Sequence, residues 1–267
     1  MPRPETITSA ANPLVKDIRR AISRGGLTEQ GWCVAETFHL LEEALRSDCE
    51  VMTVLASQSG RMEAEARVRL AGIPVVVLAD ALFKKIAGTE TSQGVIALVK
   101  PPVWRMEQLF GERPMVVVLD QLQDPGNVGT IIRAAEAFGA SGVLFVRGTV
   151  SPYNPKALRA AAGSLFRVPF VYGLDPGPAR SVLQENRVDL YAAVPARADA
   201  PVRSLTDVDF TSGCGLVIGN EARGVCGELR SAAMDISIPT VGVESLNAAV
   251  AAGILLYEAR RQRALRL

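Results

Sequence analysis

Asn127, Arg133, Asn220, Glu221, Ser245 and Asn247 are the residues of this chain whose types and spacing could do chemistry together. They stand in three segments of the second half, DPGNVGTIIRAAEAFGA (124–140), LVIGNEARG (216–224) and IPTVGVESLNAAVAAGILLYEA (238–259). Amides and a hydroxyl orient a ligand by hydrogen bonds, and a guanidinium, which stays protonated in proteins, grips or stabilises an oxyanion. The run LVIG drives an apolar strand to its carboxyl end and presents Gly219-Asn220-Glu221 in a loop, the place where open α/β sheets bind ligands. The loop does not match the dinucleotide fingerprint, because Asn220 and Glu221 occupy positions where small residues should admit a pyrophosphate. A carboxylate there repels phosphate and suits a cofactor that carries positive charge.

Each residue also has a purely local reading. Asp124-Pro125-Gly126 turns out of a strand, and Asn127 then stands where a helix begins, so it can be an N-cap. Val128, Ile131, Ile132 and Ala135 follow at helical spacing, Gly139 closes the helix, and Arg133 can be a solvated helix arginine. Ser245 can cap the last helix and Asn247 can lie in its first turn. That helix is apolar on nearly every side through Leu256, so it must be buried against more than one sheet face, and a subunit interface is a natural partner.

The elements that position these segments read as α/β. MVVVLD (115–120), GVLFV (142–146), DLYAAV (189–194) and GLVIG (215–219) are apolar on both faces and separated by helical stretches, the pattern of a mostly parallel sheet with helices on both faces. Ahead of them, Asn12-Pro13 reads as an N-cap with proline at the first helical position, and Gly25-Gly26 ends that helix. AETFHLLEEALRS (35–47) reads as an amphipathic helix carrying His39, the one histidine, which is more readily structural or solvated than catalytic. VMTVLAS (51–57), EAEARVRLAG, IPVVVLA (73–79) and FKKIAGTETSQGVIALVK (83–100) continue a smaller amino-terminal α/β domain. Pro101-Pro102 and Gly111 mark a linker near 100–113, giving domains 1–105 and 106–267.

Lys and Arg number 29 against 28 Asp and Glu, which excludes a strongly basic whole-protein field; any grip on nucleic acid must be local. Cys33, Cys49, Cys214 and Cys226 show neither zinc-ligand spacing nor a disulfide framework, so no metal is expected and reduced thiols are. The opening MPRPETITSAANPLVKDIRR lacks the apolar core of a signal peptide. Residues 245–257 are apolar but too short to span a bilayer, so no membrane association and a cytoplasmic protein are expected.

Taken jointly, the three segments resemble the motif set of the SpoU/TrmH branch of the SPOUT RNA methyltransferases. Asn127 and Arg133 match its first motif, Gly219-Asn220-Glu221 with Gly224 its second, and Glu244-Ser245-Leu246-Asn247 its third. NPKALRAAAGSLFRVP (154–169) resembles the stretch between the first two, while SAANPLVKDIRR and GTETSQGVIALV are similar to a substrate-binding domain of ribosomal-protein-like fold often fused to these enzymes. The resemblance implies a carboxy-terminal SPOUT domain with a trefoil knot, a rare departure from unknotted topology. It also implies S-adenosylmethionine (SAM) as methyl donor, a ribose 2′-hydroxyl of ribosomal or transfer RNA as acceptor, and an active site shared across a homodimer.

By position the resemblance assigns Asn127, Arg133, Glu221, Ser245 and Asn247 to catalysis, with Asn127 orienting Arg133 or the ribose and Glu221 either catalytic or structural. Gly219, Asn220, Ile238 and Leu246 are assigned to the cofactor. Lys16, Arg19, Arg20, Lys84, Lys85 and Arg159 are the candidate RNA contacts, of the kind that position RNA without specifying its sequence. Ala161 and Ala162 stand where a serine is often found, Ala248 replaces a larger apolar residue, and Thr37 follows Glu36 where glycine is common. Two rival readings are an RNA-binding factor that keeps the fold without turnover, and a Rossmann-type oxidoreductase.

Overall fold

The computed structural model describes residues 6–89, 91–195 and 202–264. In chain order the strands and helices of the first hundred residues are β1 (Thr6–Ile7), α1 (Pro13–Arg24), β2 (Cys33–Glu36), α2 (Phe38–Arg46), β3 (Glu50–Ser57), α3 (Arg61–Val68), β4 (Val75–Leu78), α4 (Asp80–Ile86) and β5 (Val95–Lys100). There follow β6 (Met115–Asp120), α5 (Pro125–Ala137), β7 (Gly142–Val146), α6 (Pro155–Ala161), β8 (Phe170–Leu174), α7 (Pro176–Glu185) and β9 (Asp189–Ala193). The last are β10 (Arg203–Ser204), β11 (Cys214–Gly219), α8 (Gly227–Arg230), β12 (Ala233–Ser237) and α9 (Ala248–Ala264). Contacts divide the chain into two compact units, with the break after Val103 and with Ser151–Arg167 returning to the first unit, so the division is not a single cut.

The first unit is a five-stranded sheet in the order β1-β4-β3-β5-β2, parallel through β1, β4 and β3 and antiparallel where β5 meets β3 and β2. α1 begins as its sequence dictates. Asn12 accepts the Leu14 N–H at 2.9 Å, Pro13 opens the helix, and Gly25 ends it at φ 63°, a left-handed conformation that costs glycine nothing. Val15, Ile18 and Ala21 then bury against Leu82, Phe83 and Ile86 of α4 and against the sheet.

The expected helix over 35–47 is shorter than its periodicity suggests. Ala35 and Glu36 belong to β2, paired with Ala97 and Ile96 of β5, and α2 starts only at Phe38, capped by Thr37. Sheet pairing with a distant strand overrides local helical spacing here. His39 lies exposed on α2.

The second unit is a seven-stranded sheet in the order β10-β12-β9-β11-β6-β7-β8, and every pairing in it is parallel. Side chains alternate across a strand. Val116, Val118, Leu144, Val146, Leu190, Ala192 and Val217 therefore share one core with Ala179 and Leu183 of α7 and Leu229 of α8. Their neighbours in sequence face the other side, where α5 packs on β7 and α9, and α9 on β11. β8 and β10 are the two edge strands: β10 has only two residues, and β8 is apolar in sequence (FVYGL) but largely not buried, as a strand with one open edge is.

Candidate active site

Strand order decides where a ligand can sit. From β6 the chain proceeds to β7 and β8 on one side, while β11 and β9 lie on the other, so the sheet's topological switch point falls between β6 and β11. Asp120 and Gly219 are register partners at the carboxyl ends of those two strands. The crevice beyond such paired ends is the binding position of an open parallel sheet. The loops that leave it are 121–124 and 220–226; the first runs into the segment that starts at Asp124, and the second continues the one that ends at Gly224.

The local signals resolve differently from expectation. Asp124, not Asn127, caps α5: its Oδ1 accepts the Asn127 N–H at 2.9 Å, and Pro125 stands in the first turn. Aspartate before proline at a helix start is itself a cap signal. Asn127 is thereby moved into the first turn with its amide free to reach outward. At α9 the cap is Asn247 rather than Ser245, since Asn247 Oδ1 accepts the Ala249 N–H at 2.9 Å and the Val250 N–H at 3.2 Å.

These caps determine the direction of a polar chain. Because Asn247 Oδ1 is used by the helix, its Nδ2 donates, and it does so to Asn127 Oδ1 at 3.0 Å. Asn127 Nδ2 must then donate in turn, and its acceptor is Glu221 Oε1 at 3.1 Å. One residue from each segment is joined in a single relay that ends on a carboxylate. Asn127 consequently bonds to Glu221 and Asn247, and of the two partners expected for it, Arg133 or the ribose, Arg133 is not bound.

Asn220 is buried and wholly committed. Its Nδ2 donates to the Gln121 carbonyl at 2.8 Å, and its Oδ1 accepts from Ala222 N and Arg223 N, both at 3.0 Å. It shapes the loop with its side chain. Gly219 is required for a different reason: a Cβ there would stand 2.4 Å from both Gly224 C and Val225 N, closer than backbone atoms allow.

Gly219, Asn220, Glu221, Ile238, Ser245, Leu246 and Asn247 line one cavity of about 560 Å³, within the range of small-molecule sites. Ile218, Ile238, Leu246 and Ala251 make it partly apolar, while Glu221, Arg223 and Glu244 bring both signs of charge. Arg223 is missing from the residues selected by sequence, and Glu244 stands in the third motif without an assigned role, because an exposed charge in a loop carries no local signature. Arg230 also borders the cavity but is bound to Asp235. Ser245 is exposed and makes no hydrogen bond to a described residue.

Arg133 is not part of this cavity. It lies exposed on α5 and has no hydrogen-bond or ion-pair partner among the described residues. The remaining candidates belong to the first unit. Lys16, Arg19 and Arg20 are exposed on α1, and Lys84 and Lys85 on α4, two helices that pack together. Arg20 is paired with Glu29. Arg159 of α6 lies 3.4 Å from Glu36, a buried carboxylate that also accepts from Gly88 N and Thr89 Oγ1. Ala162, where a serine was noted as missing, takes a left-handed conformation at φ 49° and ends α6.

The thiols show no sign of activation. Burial pushes Cys214 and Cys49 up to about 11, and raises Cys33 and Cys226 as well. Among the described residues no group of His, Cys, Asp or Glu could hold a metal ion, and no helix is long and apolar enough to cross a membrane.

A parallel α/β sheet with a cavity at the carboxyl ends of β9, β11 and β12, and a relay that joins the first turn of α5, the 220–226 loop and the cap of α9, defines a ligand-binding α/β enzyme class. Comparison with known proteins narrows it. A model of the SpoU rRNA methylase family matches residues 114–257, and one of the MRM3-like substrate binding domain matches residues 12–97. The chain is 33% identical over 256 residues to a Bacillus subtilis protein named 23S rRNA (guanosine(2553)-2′-O)-methyltransferase RlmP, covering 95% of this chain and 98% of that one. Among solved structures, it is similar to the SpoU methyltransferase AviRb of Streptomyces viridochromogenes in complex with the cofactor AdoMet, at TM-score 0.83 and 28% identity, over 95% of this chain and 98% of that one. An AdoMet-bound rRNA methyltransferase of Sinorhizobium meliloti gives TM-score 0.79 at 29% identity, over 96% and 97%. This chain belongs to the SpoU rRNA methylase family.

Proposed function

We propose that the protein transfers a methyl group from SAM to a ribose 2′-hydroxyl of ribosomal RNA. The observation that carries this reading is the Asn247–Asn127–Glu221 relay, two of whose members line the cavity at the carboxyl ends of β9, β11 and β12, in a chain whose relatives are named 23S rRNA 2′-O-methyltransferases. The cavity suits the donor chemically. Ile218, Ile238 and Leu246 offer an apolar slot for a flat base, Arg223 a partner for a carboxylate, and Glu221 and Glu244 partners for positive groups. When bound, SAM supplies an electrophilic methyl on a sulfonium.

The chain's own residues then have separable tasks. Asn247 and Asn127 hold each other in one orientation and leave little freedom to whatever touches them, and such positioning can lower a barrier by several kcal/mol. Ser245 presents a hydroxyl into the cavity mouth for the target nucleotide. Arg133 stabilises the developing alkoxide or holds an RNA phosphate that accepts its proton; a guanidinium is too weak an acid to be a literal base at neutral pH.

Since Arg133 does not border its own cavity, we assign it to the cavity of a second copy in a homodimer formed through the carboxy-terminal domain. Exposed Val250 and Tyr257 on α9, and Val241 and Val243 in the preceding loop, support an apolar interface there. The reading includes a trefoil knot formed by the 238–247 segment, supported by the way this segment and the 219–225 loop line one cavity. It also divides the chain into an RNA substrate-binding domain over 1–105, with Lys16, Arg19, Arg20, Lys84, Lys85 and Arg159 towards phosphates, and a SPOUT methyltransferase domain over 106–267. An rRNA substrate supports a cytoplasmic location.

The test is transfer of labelled methyl to deproteinised ribosomal and transfer RNA, alongside calorimetry with SAM. Arg133→Ala should bind SAM normally and lose transfer by about a hundredfold or more, the scale of one transition-state contact. Mixing it with a Gly219→Ala variant should restore activity in mixed dimers. Failure of the native chain to bind SAM refutes the proposal, and unchanged turnover in Arg133→Ala refutes the residue's role.

A further inference from the structure

Asp120 ends β6 with its side chain completely buried. Its Oδ2 accepts the Cys226 N–H at 2.6 Å, while Oδ1 has no hydrogen-bond partner among the described residues. Burying a carboxylate opposes folding unless it is paired, and an apolar residue in its place is often as stable or more so. Fold stability alone therefore gives no reason for an acid at this position. What the carboxylate does hold is one end of a loop.

The next residue holds the other end. The Gln121 carbonyl accepts Asn220 Nδ2 at 2.8 Å, and Gln121 adopts a left-handed backbone at φ 58°. Such a conformation is uncommon for a residue with a side chain and clusters where surrounding structure enforces it. Two consecutive residues at the tip of β6 thus fasten both ends of the 220–226 loop, and residues 220–225 of that loop form a wall of the cavity. The Cys226 thiol is raised first by burial and also by the Asp120 carboxylate, which agrees with close approach of the two side chains.

We infer that Asp120 is a positioning residue for cofactor binding: through the Cys226 N–H it sets the 220–226 loop in the shape that receives SAM, without touching SAM itself. The inference rests on the cavity being the SAM site. It is tested from both partners of the hydrogen bond. Asp120→Asn removes the charge at nearly constant volume. Cys226 has φ −64°, the value that proline imposes, so Cys226→Pro removes the donor N–H, and Cys226→Ala, which keeps the N–H, is its reference.

In calorimetry on the full chain, Asp120→Asn should bind SAM about tenfold more weakly than the native protein, and Cys226→Pro about tenfold more weakly than Cys226→Ala, the scale of one charge-assisted hydrogen bond. The double variant should be no weaker than the weaker single, because Cys226→Pro removes the donor of the same bond whose acceptor charge Asp120→Asn takes away. In transfer assays the KM for SAM should rise by the same factor while kcat at saturating SAM changes by less than about threefold, a split that a general loss of stability does not produce. If Asp120→Asn fails to fold, the Cys226 pair decides. Native-like SAM affinity in folded Asp120→Asn, or in Cys226→Pro relative to Cys226→Ala, overturns the inference; absence of SAM binding by the native chain overturns instead the function on which it rests.

Discussion

Glu221→Gln keeps an oxygen where Asn127 needs one and removes the negative charge, so it separates two roles for this residue. The carboxylate accepts from Asn127 Nδ2 at 3.1 Å and is approached by Gln123 N–H at 3.5 Å. The second contact is at the distance limit and contributes little. A hydrogen bond to a charged group nets about 1.5–3 kcal/mol and a neutral one about 0.5–1.5, so the substitution weakens the relay by about 1 kcal/mol. Glu221 is exposed, and solvent screening makes that figure an upper bound. A rate that depends on the placement of Asn127 should then fall about fivefold or less.

Glu221→Ala removes the acceptor altogether. Asn127 is then free to rotate, Asn247 loses its fixed partner, and transfer should fall by about 30- to 100-fold, the equivalent of one lost charge-assisted bond. The assay is single-turnover transfer of labelled methyl to deproteinised ribosomal RNA at saturating SAM, with SAM affinity measured on each variant. If Glu221→Gln is as inactive as Glu221→Ala while both remain folded and bind SAM, the charge itself is required. Glu221 would then face the sulfonium, and the relay would not be its purpose.

Gly219→Ala should destabilise the second unit by about 1–3 kcal/mol and abolish SAM binding, because its Cβ would meet backbone 2.4 Å away; urea unfolding and calorimetry check both. Asn247→Ala should lower stability by about 0.5–2 kcal/mol through the lost α9 cap and reduce transfer more than Asn247→Asp, which keeps the cap but not the donor to Asn127. Glu36→Ala should loosen Gly88 and Thr89 by unpairing Gly88 N, Thr89 Oγ1 and Arg159, visible as faster amide exchange there and weaker RNA binding at unchanged SAM affinity. The Cys49 and Cys214 thiols are raised from 9.0 to about 11, so the folded state keeps protons that the unfolded chain loses over that window. Stability should therefore be full below pH 9 and fall as pH rises towards about 11, less steeply in Cys214→Ala, as urea midpoints across that range would register.

Much of the framework is legible in the chain itself. Asn12-Pro13 and Gly25 bracket α1 as their chemistry requires, since an N-cap, a first-turn proline and a left-handed glycine are decided within a few residues. The strands β6, β7, β9 and β11 are legible as doubly apolar runs because a parallel sheet buries both faces. Edge strands, and the loss of Ala35 and Glu36 from α2 to β2, are not, because both depend on which strand lies alongside.

The same division runs through the site. Sequence by itself determined the fold class, the family resemblance and six of the residues to explain, because each motif is a local run of apolar strand, tight turn and helix start. Only the tertiary structure decided what those residues do to one another. Asn127 and Glu221 are 94 positions apart and Asn127 and Asn247 are 120 apart. They meet because β11 pairs with β6 rather than with β10 or β12, its neighbours in sequence. The direction of the relay follows from which residue caps α9, and sequence pointed to Ser245 as the cap with Asn247 in the first turn, whereas the backbone makes Asn247 the cap. Hydrogen bonds act over about 3 Å, and a linear sequence carries no distance between residues so far apart.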